Sequence, residues 1–407
     1  MGVKTGYRGY KSYDYLEKGV DYKHFKLARE LDWVEPYTLP LTDTEEARFR
    51  RLIKDTVFIS VHEHTVVATE DVGELMEYEK EGRESAGFEG LSRSCIDALF
   101  DNLMDGTCVI HSKGGWKWED VIHDIGIRAC DIAHQDFVFK GERVEDIYRA
   151  HREGRIAWFI GLESSTPCEN EIDRFEILYG LGVRMMGICY SESNCLGSGC
   201  AEVNDGGLTT FGRAAVERMN KIGMPIDVSH AGDRTSLDTI GASAKPVFIS
   251  HAGARALWNM RRLKPDDVLK ACADKGGVIG IEAAPRTTIT KRSPVHNLES
   301  YMEHFEYIKD LVGIDYVGFG PDALYGDHVG FNQLFAEVMS IGGNLSSSGS
   351  SDKADPIPPI KYVRGLENPT EASHNIIRWL VKHGYSDEDI AKVAGGNAIR
   401  ALKEIGL

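Results

Sequence analysis

The sequence has no apolar run that approaches the roughly 20 residues a helix needs to cross a bilayer. Its first residues contain no apolar core of a signal peptide, and Gly6 stands where a myristoylation signal has Ser or Thr. Basic residues are scarce, with 47 Lys and Arg against 63 Asp and Glu and a net charge of −16. These absences argue against membrane insertion and nucleic-acid binding, and we expect a cytoplasmic protein.

Paired cysteines are also missing, because the eight cysteines include no Cys-x-x-Cys motif. In a long chain without a signal peptide, such cysteines are mostly reduced thiols. Cys189, Cys195 and Cys200 lie close together in a Gly/Ser-rich stretch, so a structural zinc or redox cluster is an alternative there. The 407 residues are 42% hydrophobic and 27% charged, which suits one large barrel or two ordinary globular domains.

What the sequence does contain is a series of short, β-branched apolar runs that each end in a potential metal ligand. The ligand-type residues at their ends are His62 with His64, Glu163, His230, His251 and Asp322. Helix-like stretches such as Val144–Gly154 and Phe211–Ile222 separate the runs. This alternation predicts a parallel sheet, and the number of runs favours a (β/α)8 TIM-type barrel over residues 51–407, with C-terminal helices.

Three further segments complete the predicted organisation. Residues 1–50 are predicted to form an N-terminal extension that packs on the barrel or on a second subunit, with partial disorder as the alternative. Gly106–His111 is predicted to be another strand, and residues 342–359, rich in Ser and Pro, a long loop. From the extension and the loop we expect a homo-oligomer, a dimer.

The carboxyl ends of barrel strands meet at one face, so the ligand-type side chains are expected to converge there. At strand period, His62 and His64 share a face while Glu63 points away. Four imidazoles, one Glu and one Asp are a ligand set typical of zinc and similar divalent ions. Structural roles are the alternatives: a packed, hydrogen-bonded histidine for His230, and a turn residue for Asp322.

At these residues the sequence resembles the membrane (renal-type) dipeptidase family, peptidase family M19, a branch of the amidohydrolase superfamily. The resemblance runs from about residue 55 to the C-terminus. The motifs that carry it are Glu153–Glu163, Gly223–His230, Pro246–His251, Gly276–Gly280, Gly318–Asp322, Gly384–Ile390 and Gly395–Asn397. It implies a (β/α)8 fold and a site for one or two Zn2+ ions or another divalent metal.

The resemblance also implies roles for single residues. The implied metal ligands are His62 for the first ion, Glu163 as a bridge, and His230 with His251 for the second. Asp322 would be the general base. By its distance from His251, Arg262 matches the arginine that grips the terminal carboxylate of the substrate, with Arg261 as the alternative.

Two positions depart from the family pattern. The family has His-x-Asp where this chain has His62 and His64, so a neutral imidazole replaces a carboxylate and leaves the metal site more positive. We keep His64 as a metal ligand. The family usually has a histidine where this chain has Tyr190, whose phenol can hydrogen-bond to a substrate or an oxyanion but carries no positive charge.

Together these features predict a zinc-dependent, dipeptidase-like hydrolase that cleaves an amide C–N bond of a small molecule, such as a dipeptide or an N-acyl amino acid. Asp322 would move protons for a metal-activated water, and Tyr190 would steady the oxyanion. One alternative is related superfamily chemistry on a non-peptide substrate: a lactam or carbamate, a deamination or a decarboxylation. The other is a non-catalytic barrel that serves in binding or assembly.

Overall fold

The structure is a computed structural model of the chain, and it describes residues 4–103, 117–285, 287–339 and 361–407. The predicted strand Gly106–His111 and the predicted loop 342–359 lie outside the described residues.

Nine strands within these ranges form one sheet in which every pairing is parallel. They are β1 (Ile59–Glu63), β2 (Ala98–Asn102), β3 (Val138–Lys140), β4 (Ile156–Leu162), β5 (Val183–Gly187), β6 (Ile226–Asp227), β7 (Phe248–Ala252), β8 (Val278–Ile281) and β9 (Val317–Phe319). The sheet closes because β1 pairs with β9 and β2, and β2 pairs with β4. β3 pairs with the first residues of β4 and stands outside the ring of eight. The predicted (β/α)8 barrel is confirmed.

Helices surround this barrel and continue beyond it. They are α1 (Asp43–Asp55), α2 (Leu75–Glu81), α3 (Phe88–Arg93), α4 (Trp118–Ala133), α5 (Val144–Glu153), α6 (Arg174–Leu181), α7 (Thr210–Ile222), α8 (Asp233–Ala242), α9 (Asp266–Asp274), α10 (Leu298–Val312), α11 (His328–Met339), α12 (Pro369–Lys382), α13 (Asp387–Ala391) and α14 (Asn397–Ile405). Short 3-10 helices cover Val72–Glu74, Thr166–Cys168 and Ile314–Tyr316, and a π-helical turn covers Lys392–Gly396. No helix in the described ranges is long and apolar enough to cross a membrane.

Local sequence signals set several of the helix ends. Thr42 and Glu45 form a capping box that satisfies backbone donors at the start of α1. α5 and α7 end at Gly154 and Gly223, whose φ angles of +63° and +74° fall in the left-handed region that favours glycine. The end of each predicted helix therefore lies where the chain can leave helical geometry without a Cβ clash.

Large apolar side chains fill the inside of the barrel away from the site. Phe100 and Phe159 stack with their ring centroids 5.0 Å apart, and they share a buried cluster with Phe248. Ala398 and Leu402 of α14 belong to the same cluster. The interior is therefore a packed core, and the carboxyl ends of the strands are left to carry polar side chains.

Residues 4–42, within the predicted extension, pack against the barrel. Tyr13 is buried, and its backbone N–H donates to Asp131 in α4. Lys4 forms an ion pair of 3.0 Å with Asp97, the residue just before β2. The segment is thus tied to the barrel by both apolar packing and charge.

Candidate metal and catalytic site

The strand ends bring all six predicted ligand-type side chains to one face of the barrel. His62 lies in β1 and His251 in β7, while His64 and Glu163 directly follow β1 and β4. The other two, three residues past β6 and β9, are His230 and Asp322. Because all eight strands are parallel, these positions share the carboxyl-terminal mouth.

The first half of the cluster joins His62 and His64 to two carboxylates. The Nε2 atoms of His62 and His64 lie 3.3 Å apart. Asp322 Oδ1 is 3.1 Å from the first and 2.9 Å from the second. Glu163 Oε1 lies 3.3 Å and 3.4 Å from the same two nitrogens. Two imidazole nitrogens and two carboxylate oxygens thus face a common point.

The second half of the cluster uses the other oxygen of Glu163. Its Oε2 lies 2.9 Å from His230 Nε2 and 3.9 Å from His251 Nε2, and these two nitrogens are 3.1 Å apart. One ligand atom from each of His62, Glu163, His251 and Asp322 lies within 4.8 Å of every other, so the halves adjoin. Glu163 therefore spans two histidine pairs with its two oxygens.

Asn102, the last residue of β2, contacts both His62 and His64 on the side of their rings that faces away from the cluster. Its side-chain amide lies 2.8 Å from His62 Nδ1, and its backbone carbonyl accepts from His64 Nδ1 at 3.1 Å. With the proton on Nδ1, the Nε2 lone pair of His64 faces the cluster, as metal binding requires. Our sequence prediction missed β2 and Asn102, although Ala98–Asn102 ends in polar residues like the other runs.

Asp227 supports the second half in a similar way. It accepts hydrogen bonds from the backbone N–H and the hydroxyl of both Ser229 and Ser250. Ser250 Oγ lies 2.8 Å from His251 Nδ1 and 3.4 Å from His62 Nδ1. The Asp-x-Ser pattern before His230 carries this signal in the sequence, but the link to Ser250 depends on the pairing of β6 with β7.

The electrostatics of the cluster suit a cation. Burial acts to raise the pKa of Glu163 and of Asp322, but the imidazoles around them, His62 foremost, hold both well below their ordinary values. Burial likewise opposes protonation of His62, yet the two carboxylates raise its pKa to about 9. Burial, with Arg262, lowers the pKa of His230 to about 4, which leaves its ring neutral at pH 7. Anionic oxygens and imidazole nitrogens are the donors that zinc-type ions select, so these residues fit such an ion, which would take the place of the proton that the raised pKa puts on His62 at pH 7.

Asp322 is held in an unusual backbone conformation. Its φ of +60° lies in the left-handed region, which Asp tolerates better than most residues. Glu63 points away from the cluster, as predicted, and accepts a hydrogen bond of 2.9 Å from the backbone of Ala323. Burial raises the pKa of Glu63 to about 8. The turn therefore aims Asp322 at the two histidines, and Glu63 anchors the turn from outside.

The two predicted substrate-contacting residues lie beside the second half. Tyr190, half-buried and three residues past β5, stacks on His230 with centroids 4.0 Å apart and planes at 17°. Arg262 is buried and donates to the carbonyl oxygens of Ser229 and His251 at 3.2 Å and 3.1 Å. Arg261 instead donates to backbone carbonyls of residues 201 and 202.

Arg262 also pairs with a carboxylate outside the set of predicted site residues. Glu282 Oε2 lies 2.6 Å from Arg262 Nη2. Glu282 directly follows β8 in the run Ile279-Gly-Ile-Glu, which parallels Ile160-Gly-Leu-Glu163. That parallel was the available signal for a second Glu at the barrel mouth.

The cysteine alternative finds no support in the described residues. The seven described cysteines are unbridged, and Cys195 is exposed whereas Cys189 and Cys200 are buried. The metal-capable cluster found among the described residues is the histidine–carboxylate cluster and contains no thiol.

Comparison with known proteins places this geometry in a family. Residues 46–336 match the family model of the membrane dipeptidases, peptidase family M19. The chain belongs to this family. It is 26% identical to dipeptidase tcpJ of Claviceps purpurea over 306 residues, which cover 72% of this chain and 64% of that protein. It is 26% identical to dipeptidase 3 of Rattus norvegicus over 257 residues, covering 62% and 45%. The matched region thus spans less than two thirds of these relatives.

Solved structures agree on the fold. An amidohydrolase from Pseudomonas aeruginosa superimposes with a TM-score of 0.70 at 25% identity, over 88% of this chain and 98% of that one. A metallopeptidase from Rhodobacter sphaeroides, bound to a phosphinate mimic of L-Ala-D-Ala, superimposes with a TM-score of 0.63 at 16% identity, over 86% and 100%. The expected family is confirmed, and its geometry includes a cluster that could hold a metal ion. Zinc and the residue roles stay predictions.

Proposed function

We propose that the protein hydrolyses the amide C–N bond of a dipeptide or a related small amide, with one or two divalent metal ions, zinc foremost. The observation that carries the proposal is the position of Glu163, whose two oxygens face two separate pairs of imidazole nitrogens. A carboxylate in that position is suited to bridge two ions. The family relationship supports hydrolysis of an amide.

The proposed metal ligands fall into two groups. His62 and His64 would hold one ion, His230 and His251 the other, and Glu163 both. If one ion binds, His62, Glu163, His251 and Asp322 would hold it, because one ligand atom of each lies within 4.8 Å of the others. His64 differs from the family carboxylate but keeps its Nε2 within 3.4 Å of Glu163.

A bound divalent cation would polarise the scissile carbonyl and lower the pKa of the attacking water. Asp322 would accept the proton of the water at Oδ1 and deliver it to the leaving nitrogen; its contacts with both histidines of the first half support this role. Tyr190 stacks on His230, which keeps its phenol next to the second half. There the hydroxyl can donate to the oxygen that gains charge during attack.

A second candidate function is hydrolysis or another superfamily reaction on a non-peptide substrate, such as a lactam or a carbamate. His64 and Tyr190 favour it, because both replace the family residue and both lie in contact with the cluster. The change alters the charge of the site and the reach of its hydrogen-bond donor, which are the properties that select a substrate.

The test is hydrolysis by the zinc-reconstituted protein of a panel of L,L-, L,D- and N-acyl dipeptides. His230→Ala should lose cleavage and part of the bound metal. The matched control is His374→Ala, which removes a half-buried histidine that packs on Phe49 outside the site. Unchanged activity in His230→Ala would contradict the mechanism. Failure of a folded, metal-loaded protein to cleave any of the peptides would favour the non-peptide alternative.

A further inference from the structure

The peptide unit that follows Asp322, the proposed general base, is held from two sides. The φ of +60° at Asp322 is a conformation that non-glycine residues keep only where their surroundings enforce it. The N–H of Asp322 donates to the carbonyl oxygen of His62 at 3.4 Å, and the next N–H, that of Ala323, donates to Glu63 at 2.9 Å. β1 therefore holds the N–H groups of this turn and leaves the carbonyl oxygen of Asp322 to another partner.

That partner is His328, the first residue of α11. Its Nε2 lies 3.0 Å from the carbonyl oxygen of Asp322. Because a carbonyl oxygen only accepts, Nε2 carries the proton of the ring. The side chain is 0% exposed, and Nδ1 has no hydrogen-bond partner among the described residues. A second proton on Nδ1 would be an unpaired buried charge, which the divalent ions proposed for the cluster would disfavour further. The bond from His328 to Asp322 is therefore made by a neutral ring.

This bond affects the carboxylate of Asp322, because carbonyl and carboxylate belong to one residue. Oδ1 of Asp322 lies 3.1 Å from His62 Nε2 and 2.9 Å from His64 Nε2. If the carbonyl were released, the peptide unit could turn and φ could relax to the negative values that most residues adopt, and the carboxylate would move with it. A misplacement of about 1 Å at a catalytic group can cost about 100-fold in rate.

We propose that His328 is a positioning residue for the general base: its Nε2–H holds the peptide unit after Asp322 and so keeps the carboxylate beside His62 and His64. The inference rests on the proposed amide hydrolysis and adds to it a residue that acts through the backbone of Asp322. Since the bond carries no net charge, the inference is the same for one bound ion and for two.

The experiment varies the donor at position 328. His328→Leu removes it, His328→Gln keeps an N–H at the reach of Nε2, and His328→Asn keeps an N–H that reaches only as far as Nδ1. The matched control is His304→Leu, because the buried His304 also donates from Nε2 to a backbone carbonyl, that of Ile289 at 3.2 Å. Each full-length, zinc-loaded protein is assayed for kcat and KM on the best-cleaved dipeptide, for zinc content and melting temperature, and for hydrogen exchange of residues 320–325 by mass spectrometry.

His328→Leu and His328→Asn should lower kcat by at least about tenfold and change KM by less than about threefold, whereas His328→Gln should keep kcat within about threefold of the wild type. Exchange of residues 320–325 should be about fivefold faster or more in His328→Leu, as loss of one hydrogen bond predicts. His304→Leu should lower the melting temperature and leave kcat and this exchange unchanged.

Three results would overturn the inference. One is a folded, zinc-loaded His328→Leu whose kcat stays within about threefold of the wild type. Another is an equal loss of kcat in His328→Gln and His328→Leu, which would mean that the ring matters for its packing and not for its N–H. The third is an equal loss in His304→Leu, which would assign the effect to general destabilisation.

The exchange measurement separates this inference from the proposed function. If the wild type cleaves no peptide, amide hydrolysis fails as the function, and exchange decides the positioning of Asp322. Faster exchange in His328→Leu that His328→Gln restores would support it, and an unchanged rate would overturn it. If His328→Leu does not melt cooperatively, the comparison of His328→Gln with His328→Asn decides, because both keep an amide and differ only in reach.

Discussion

Asp227→Asn should weaken metal binding without removing any direct metal ligand. Asp227 accepts from the hydroxyl of Ser250, so that hydroxyl is free to accept from His251 Nδ1 at 2.8 Å. This arrangement places the proton on Nδ1 and the lone pair on Nε2, which faces Glu163 and His230. An asparagine amide that faces Ser250 donates instead of accepting, and the hydroxyl must then find another acceptor.

The expected magnitude follows from the bonds involved. If Ser250 turns its proton toward His251, the ring takes the tautomer whose Nε2 carries the proton and cannot bind a metal. Changes to the partners of metal-ligating histidines typically cost about 10- to 100-fold in affinity, or about 1.4–2.8 kcal/mol. Loss of one hydrogen bond to a charged group should also lower the free energy of unfolding by about 1.5–3 kcal/mol.

The assay is competition between the protein and a chelator of known affinity, with metal content measured on the purified protein. The matched control is Asp205→Asn, because Asp205 also accepts several hydrogen bonds, from the backbone of Arg234 and from Thr235, at the start of α8. The control should lower the melting temperature and leave metal affinity unchanged. An Asp227→Asn protein that binds the metal with wild-type affinity would refute the reasoning.

Three further perturbations test other parts of the structure. Gly187→Ala should destabilise the fold by about 1–3 kcal/mol and weaken metal binding, because its Cβ would lie 1.8 Å from the carbonyl oxygen of Glu163. Thermal melts measure the effect, and the control is Gly126→Ala, whose Cβ would lie in open space. Glu163→Gln should lower the metal content, and an unchanged content would contradict the bridging role. His151→Gln should destabilise the protein by about 1 kcal/mol near pH 5.5 and by less near pH 9, as measured by urea unfolding; an equal loss at both pH values would be contrary to expectation.

The sign of the last prediction follows from the His151–Asp97 ion pair of 2.9 Å. The hydrogen bond to Asp97 raises the pKa of His151. The stability that His151 contributes is therefore fully present below the pKa of His151 in the unfolded chain, and it is lost as the pH rises through the raised pKa of the folded protein. Burial acts to raise the pKa of Asp97, but Lys4 and His151 lower it overall. The contribution of Asp97 to stability is therefore lost only as the pH falls through its lowered pKa. The ion pair stabilises the protein most between that pKa and the raised pKa of His151.

The sequence by itself determined the barrel and the location of the site within it. Apolar runs such as Ile156–Leu162 alternate with amphipathic stretches such as Phe211–Ile222, and only a parallel sheet wrapped in helices buries both. Because parallel strands end at one face, His62, Glu163 and Asp322 had to approach one another. The family motifs then predicted their roles.

Only the tertiary structure decided which side chains pair across the strands. β2 escaped prediction because Asp97 and Asp101 interrupt its apolar run, although each carboxylate is satisfied by partners elsewhere in the fold. The contact of Asn102 with His62 joins residues 40 positions apart, and the pairing of Arg262 with Glu282 joins the segment after β7 to the residue after β8. Such contacts depend on register and closure of the barrel, and no local pattern of residues records them.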